Sequence, residues 1–433
     1  MCSSDLPGEP AGHGARRAVN PPVPGLRLAQ ILGYGALGLP LAFAALPVYV
    51  FAPKFYAGLG LSLGTAGAVL LLARMADALI DPWLGVAADR ARSHKAFIAA
   101  ALLPLALGML AMFHPPSGAD STVLSLWLGA CVAVTYFGFS AANIAYQAWG
   151  ARLGNAEDRT AVAATREGCG LAGVVLASIL PQMFAPTVEA GLPAATWIFM
   201  PILALCAAIT LGTAPGGARI AALQGSFTRT LVPVLASARF RHLLAVFALN
   251  GIASAIPATL FLFFVADILR LADQSGMFLA LYFIAAALAL PLWVRVAARL
   301  GKRRAWLAAM ALAIAVFMWA FTLSAGQAVA FGAIAIASGA ALGADLALPP
   351  AMLADTIEAD RTRGAEGAYF GIWNLVAKLN LALAAGVTLP ALATFGYTPG
   401  APGPGAALPL MYCLLPCVLK LGAIVMLLRT KEE

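Results

Sequence analysis

Two aspartates and a lysine stand where an apolar chain accommodates charge worst. RMADALIDPW (74–83) is flanked by VLLLA and LGVAA, and GIWNLVAKLNLALAAG (371–386) sets a lone Lys378 in a second apolar run. A charge at the centre of a membrane helix costs about 2.5–3.5 kcal/mol on insertion scales, so such residues face a bundle interior and mark ion or solute pathways. Arg74, Asp77, Asp81, Gly85 and Asp89 are spaced 3, 4, 4 and 4. At 100° per residue they fall within about 120° of one helix face. Asp77 and Asp81, one turn apart, resist ionising together and are expected to titrate as a coupled pair or to share a monovalent cation. An internal ion pair of Arg74 with Asp77 is the competing reading. Pro82 removes a backbone hydrogen bond, which at membrane depth is tolerated where the backbone lines a cavity. Lys378 needs an acidic partner, and Asp77 and Asp81 are the obvious ones; snorkelling to the interface is the alternative.

Further polar groups fall within apolar runs. Asn143, Tyr146, Gln147 and Trp149 form a polar and aromatic stripe, and Arg166 with Glu167 follows early in the next run. Amides and aromatic rings suit an organic solute; an interfacial belt for Trp149 and an edge ion pair for Arg166 are the plainer readings. Trp373 and Asn374 share the segment of Lys378, with Asn374 on the same face. Asp345, followed by Pro349 and Pro350, is either a solute contact, a gate residue, or a group near the end of its helix.

These residues need a scaffold, and the composition names its class. Of 433 residues 62% are hydrophobic and 11% charged, with a mean hydropathy of +0.88; a soluble domain is nearer half apolar and a quarter charged. The chain reads as an all-α polytopic membrane protein. With roughly 20 apolar residues per span, twelve fit, near 27–51, 62–88, 96–114, 123–149, 161–185, 194–213, 241–266, 275–298, 305–324, 328–353, 367–395 and 406–428. Of the 27 Lys and Arg, only Lys54 and Arg270 fall in loops on one side. That bias puts both termini and the middle loop in the cytoplasm of a cell inner membrane. VAADRARSHKAF (86–97) and VAARLGKRRAW (296–306) repeat about half a chain apart, as in parallel-repeat transporters with a midplane site between halves. The expected organisation is a disordered tail (1–26), a six-helix bundle (27–213), a cytoplasmic middle loop (214–240), a second bundle (241–428) and a short tail (429–433). The net charge of +8 is absorbed by this bias, so no nucleic-acid partner is implied. The six cysteines suggest neither a disulfide framework nor a zinc site. The four histidines lie in the tail or near loops, and neither G-x-S-x-G nor H-E-x-x-H occurs, so an enzyme is not expected.

The loop GVAADRARSHK resembles the signature loop of the major facilitator superfamily, through Gly85, Asp89, Arg90, Arg92 and Lys95. The resemblance implies gating, with the aspartate pinned to a neighbouring helix in one state. The pattern Arg74-x-x-Asp77-x-x-x-Asp81-Pro82-x-x-Gly85 is similar to the second helix of the glycoside–pentoside–hexuronide:cation symporters, the melibiose-carrier family. EDRTAVAATREG (157–168) resembles that family's loop between helices four and five. MLADTIEADRTRGAEGAYFGIWNLVAKLNLALAAG (352–386) resembles its eleventh-helix block, matching at Asp355, Arg363, Glu366, Gly367 and Lys378. The resemblance implies Na⁺ or H⁺ on Asp77 and Asp81, Lys378 beside them, Arg166 near the solute, and gating roles for Arg74, Asp355 and Arg363. Two sugar-gripping acids of that family are absent: Pro40 stands near one position and Asn143 at the other.

The expected function is cation-coupled symport of a small organic solute by alternating access, through a twelve-helix major facilitator fold of two six-helix pseudo-repeats. The solute site is placed at Asn143, Tyr146, Arg166, Trp373, Asn374 and Asp345. No cofactor is expected besides the coupling ion Na⁺ or H⁺; the partners are the solute, the cation and the bilayer, and the protein is a monomer. A proton-coupled exporter, a lipid or amphipath carrier, and a non-transporting membrane sensor are the alternatives.

Overall fold

The computed structural model describes residues 25–216, 227–360, 362, 364–397 and 405–429. Among these it is helical throughout, without strands. Eleven helices are long and apolar enough to cross a membrane: α1 (Leu28–Leu46), α3 (His94–Met112), α4 (Ser121–Ala151), α5 (Ala156–Met183), α6 (Val188–Thr213), α7 (Ala238–Ile268), α8 (Ala272–Leu300), α9 (Lys302–Ala320), α10 (Ala328–Ala359), α11 (Glu366–Leu392) and α12 (Ala407–Leu428). A twelfth of membrane length, α2 (Leu63–Arg90), carries the acidic stripe and runs through Pro82. Large apolar side chains such as Leu103, Leu126, Leu288 and Val329 are exposed, as the acyl phase of a bilayer requires.

Local chemistry sets the helix ends. Ser62, Asp120, Thr187 and Ser237 each accept a backbone N–H in the first turn of α2, α4, α6 and α7, and Asn155 with Asp158 forms a capping box on α5, satisfying orphan donors. α1 breaks at Ala36–Leu37. The freed groups find Thr210 of α6, whose hydroxyl accepts from Leu37 N at 3.0 Å and donates to Gly33 O at 2.8 Å.

The internal repeat has a structural counterpart. Lys95, opening α3, donates to Leu211 O and Ala214 O at the end of α6, both at 2.7 Å. Arg303, opening α9, donates to Leu427 O and Leu428 O at the end of α12. In each half a basic residue of the third helix thus caps the sixth, where a cation meets the negative end of the helix dipole. The halves meet mainly through α2 against α11 and through α5 against α8 and α10. Between them the segment expected as a plain loop carries a short helix, Phe227–Ala236, whose Phe227 stacks on Trp83 of α2 at 5.0 Å. The charged stretch expected as a loop from 354 is helical to Ala359, so Asp355 sits on α10. The expected tails at 1–26 and 429–433 fall almost wholly outside the described residues.

Candidate functional site

The stripe on α2 faces α11 along its length. Gly85 makes this possible: a Cβ there would lie 2.0 Å from Gly367 O, and one on Gly367 would lie 2.2 Å from Gly85 O. Only hydrogen at both positions lets the two backbones touch. One turn away, a Cβ on Gly371 would stand 2.6 Å from Asp81 O. This contact brings the charged residues of the two helices into register.

At the deep end of the contact lie Asp77 and Asp81 of α2, Ser140 of α4 and Lys378 of α11. Lys378 Nζ stands 2.6 Å from Asp77 Oδ2 and 2.7 Å from Asp81 Oδ2. It donates to Asp81 Oδ1 at 2.8 Å and to Ser140 Oγ at 2.9 Å. Ser140 in turn donates to Asp77 Oδ1 at 2.6 Å. Both carboxylates are buried, Asp81 completely. The Oδ2 atom of each is buried, with the Lys378 ammonium against it. The cluster thus sets two carboxylates against one ammonium. If all three are ionised it holds one excess negative charge, in surroundings where an uncompensated charge is costly. A proton or a small monovalent cation on the carboxylate oxygens would balance it. Among the described residues no cluster of three or more His, Cys, Asp or Glu could hold a metal ion by itself, so such a cation would be gripped by a carboxylate pair with a competing lysine.

From this cluster toward the end of the bundle bearing the basic loops, three further layers join the halves. First come amides: Asn143 donates to Asn374 at 3.2 Å, and Asn374 donates to Gln147 at 3.1 Å. Next, Asp89 accepts the Gly367 and Ala368 N–H groups at 2.7 and 2.8 Å, so a carboxylate of one half caps a helix of the other. Arg152 bridges Asp89 and Glu366. Last, Arg159 pairs with Asp355 and Glu358, and Lys302 joins Asp355 at 2.6 Å. These contacts involve α2 only from Asp77 onward and α11 only up to Lys378. The basic end is closed by them.

The expected solute residues are placed less uniformly. Asn143 and Asn374 meet across the halves. Trp373 stacks on Phe247 of its own half at 3.7 Å. Tyr146 is fully buried and donates to Tyr34 O, while Tyr34 donates to Tyr146 O at 2.7 Å. Arg166 is buried against Glu167. Asp345 belongs to a separate cluster inside the second half, with Asn250, Ser254, Trp306 and Lys420. Arg74 lies on the face of the acidic stripe, Arg90 ends the helix one residue past Asp89, and Arg363 lies outside the described residues. Ser140, Arg152 and Lys420 were not singled out from sequence. Lys420 carried a usable signal, an isolated charge in the last apolar span; Ser140 carried none, since a hydroxyl inserts at little cost.

Residues 31–431 match the protein family described as MFS/sugar transport protein. Among curated proteins none matches the sequence. Solved structures share the fold at low identity. A bacterial homologue of the iron transporter ferroportin, outward-facing, is 17% identical with a TM-score of 0.71, over 93% of this chain and 99% of that one. The Escherichia coli fucose:proton symporter FucP is 15% identical, with a TM-score of 0.70 over 93% and 97%. The human organic anion transporter TETRAN is 18% identical, with a TM-score of 0.64 over 92% and 98%.

Proposed function

Because the chain belongs to the MFS/sugar transport protein family, we propose that it is a cation-coupled symporter of a small organic solute, of the melibiose-carrier type, in a cell inner membrane. The observation that carries this reading is the Asp77–Asp81–Ser140–Lys378 cluster. Two buried carboxylates share one lysine from the opposite half. A proton or Na⁺ arriving at the pair competes with Lys378 for the same oxygens and loosens the tie between halves. Cation binding is thereby linked to the opening equilibrium, which is what coupling requires.

The basic end is read as cytoplasmic from the positive-inside bias, so the described state is closed to the cytoplasm. The solute is an uncharged, hydroxyl-bearing molecule, bound where Asn143, Gln147 and Asn374 now satisfy one another. An amide can donate to and accept from a hydroxyl, and the solute replaces the contacts it breaks. With Asn143 at one position of the missing sugar-gripping acids and Pro40 near the other, the solute is held by weaker, neutral hydrogen bonds.

The test is flux in proteoliposomes. Glycosides, pentoses, hexuronides and lysolipids are presented with an inward Na⁺ or pH gradient, and cation entry is recorded. A solute-dependent entry of Na⁺ or H⁺, lost in Asp77→Asn, is expected. Solute entry that is indifferent to both gradients would overturn the coupling.

A further inference from the structure

A cavity lies inside the second half and takes no part in the contact between halves. It encloses about 220 Å³ between α7, α8, α9, α10 and α12, lined by aromatic rings including Phe261, Phe278, Tyr282, Phe317, Phe331 and Tyr412. These sit on the segments of their helices away from the basic end. The volume exceeds the ~150 Å³ apolar cavities that take up one benzene ring. A purely apolar void would be a packing defect, but here Asp345 and Lys420 form one wall.

The two charges of that wall are held differently. Lys420 is almost fully buried, and its ammonium reaches Asn250 Oδ1 at 2.7 Å, Ser254 Oγ at 3.0 Å and Asp345 Oδ2 at 3.3 Å. An ammonium has three donors, so it has none to spare. The Asp345 side chain is 15% exposed, against 3% for Lys420. Its Oδ1 is anchored by Trp306 Nε1 at 2.7 Å and Asn250 Nδ2 at 3.0 Å. Among the described residues its Oδ2 has only two contacts, both of 3.3 Å, from Ser254 and Lys420. That is long for a charge-assisted bond, which settles near 2.7–2.9 Å, and contrasts with the 2.6–2.9 Å contacts around Lys378. The acceptor on the cavity wall is therefore a carboxylate oxygen with capacity for a closer donor.

We propose that this cavity is a binding site for a small organic ammonium compound. Its cationic head donates to Asp345 Oδ2, and its ring or alkyl body fills the aromatic chamber. Aromatic faces attract a cation when water is excluded, and Lys420 keeps two of its three partners when the head displaces it from Oδ2. An anionic head would be repelled by Asp345, the more exposed of the two charges, and a neutral one would make no charge-assisted bond to Oδ2. The site lies in one half and shares no residue with the Asp77–Asp81–Lys378 cluster, so it stands or falls apart from the symport reading.

The test uses the full chain in detergent, with phenethylammonium as probe, phenethyl alcohol as neutral isostere and 3-phenylpropionate as anionic one. Binding is read by calorimetry and by thermal unfolding. Phenethylammonium is expected to bind saturably, at least about tenfold more tightly than the alcohol, with no binding by the carboxylate. Ala335→Phe, which fills the chamber without touching the charges, should weaken it by about tenfold or more. Because Asp345→Asn alone strands a buried lysine, the double substitution Asp345→Asn with Lys420→Met tests the head contact and should abolish the preference for the cation. Absence of saturable phenethylammonium binding, equal binding of the three probes, or binding unchanged by Ala335→Phe would each overturn the proposal.

Discussion

Lys378 holds two carboxylates that would otherwise repel each other inside the bundle. Lys378→Met removes the only named counter-charge and leaves both acids buried. Breaking such a pair costs about 3–5 kcal/mol. The sign with pH follows from the charge count: a proton on either carboxylate relieves the repulsion, so the variant should lose less stability at pH 5 than at pH 8. Thermal unfolding in detergent at the two pH values checks this, and an equal loss at both would contradict it. These three residues were legible in the sequence because a charge in an apolar run has no inexpensive explanation. Ser140, which completes the cluster, was not, because a serine in a helix satisfies itself on its own backbone. Asp345 was legible as a polar anomaly and Lys420 as an isolated charge in an apolar span, but their pairing and the chamber beside them depend on which helices pack together, and no spacing along the chain records that.

The helix pair α2–α11 turns a stripe of charges into a contact between halves. Gly85 and Gly367 let the backbones touch. Gly85→Val would drive a branched side chain into the Gly367 carbonyl, and overpacking of this kind costs typically 1–3 kcal/mol. The penalty falls on this closed arrangement alone, so the variant should populate the state open at the basic end while keeping its helical content. Faster alkylation of a cysteine introduced at Ala368, fully buried here, would report it; unchanged labelling would count against a close-packing role for Gly85. The shared face from Arg74 to Asp89 could be read from spacing, since helix periodicity is rigid. The length of α10 could not. ADTIEAD lowers the hydropathy and reads as a loop, yet the helix continues to Ala359 because Asp355 and Glu358 find Arg159, and Asp355 also Lys302. The helix Phe227–Ala236 is hidden by its own Pro233.

At the scale of the molecule, the two halves are tied at one end by Asp89, Arg152, Glu366, Arg159 and Asp355, and lower down by Lys378. Asp89→Ala combined with Arg152→Ala removes the cap on α11 and its bridge. Spin labels at Arg92 and Arg299, exposed positions of the two halves, should then show a longer distance population than the parent protein; an unchanged distribution would place the closure elsewhere. Twelve spans and the basic end followed from hydropathy and charge bias, which depend on the bilayer and not on packing, and the repeat from the likeness of segments 86–97 and 296–306. The conformational state did not, because closing one end depends on long-range pairs such as Arg159–Asp355 that either state of the same sequence could break.

The central claim is that Asp77 and Asp81 hold a coupling cation in competition with Lys378. Its most direct test is thermal unfolding of the purified protein, titrated with Na⁺ against K⁺ at pH 7.5 and with protons in choline buffer, each beside Asp77→Asn. The account predicts a saturable rise in Tm specific to Na⁺, or an inflection of Tm with pH, that disappears in the variant. Responses to Na⁺ and to pH that are the same with and without the Asp77 carboxylate would contradict it.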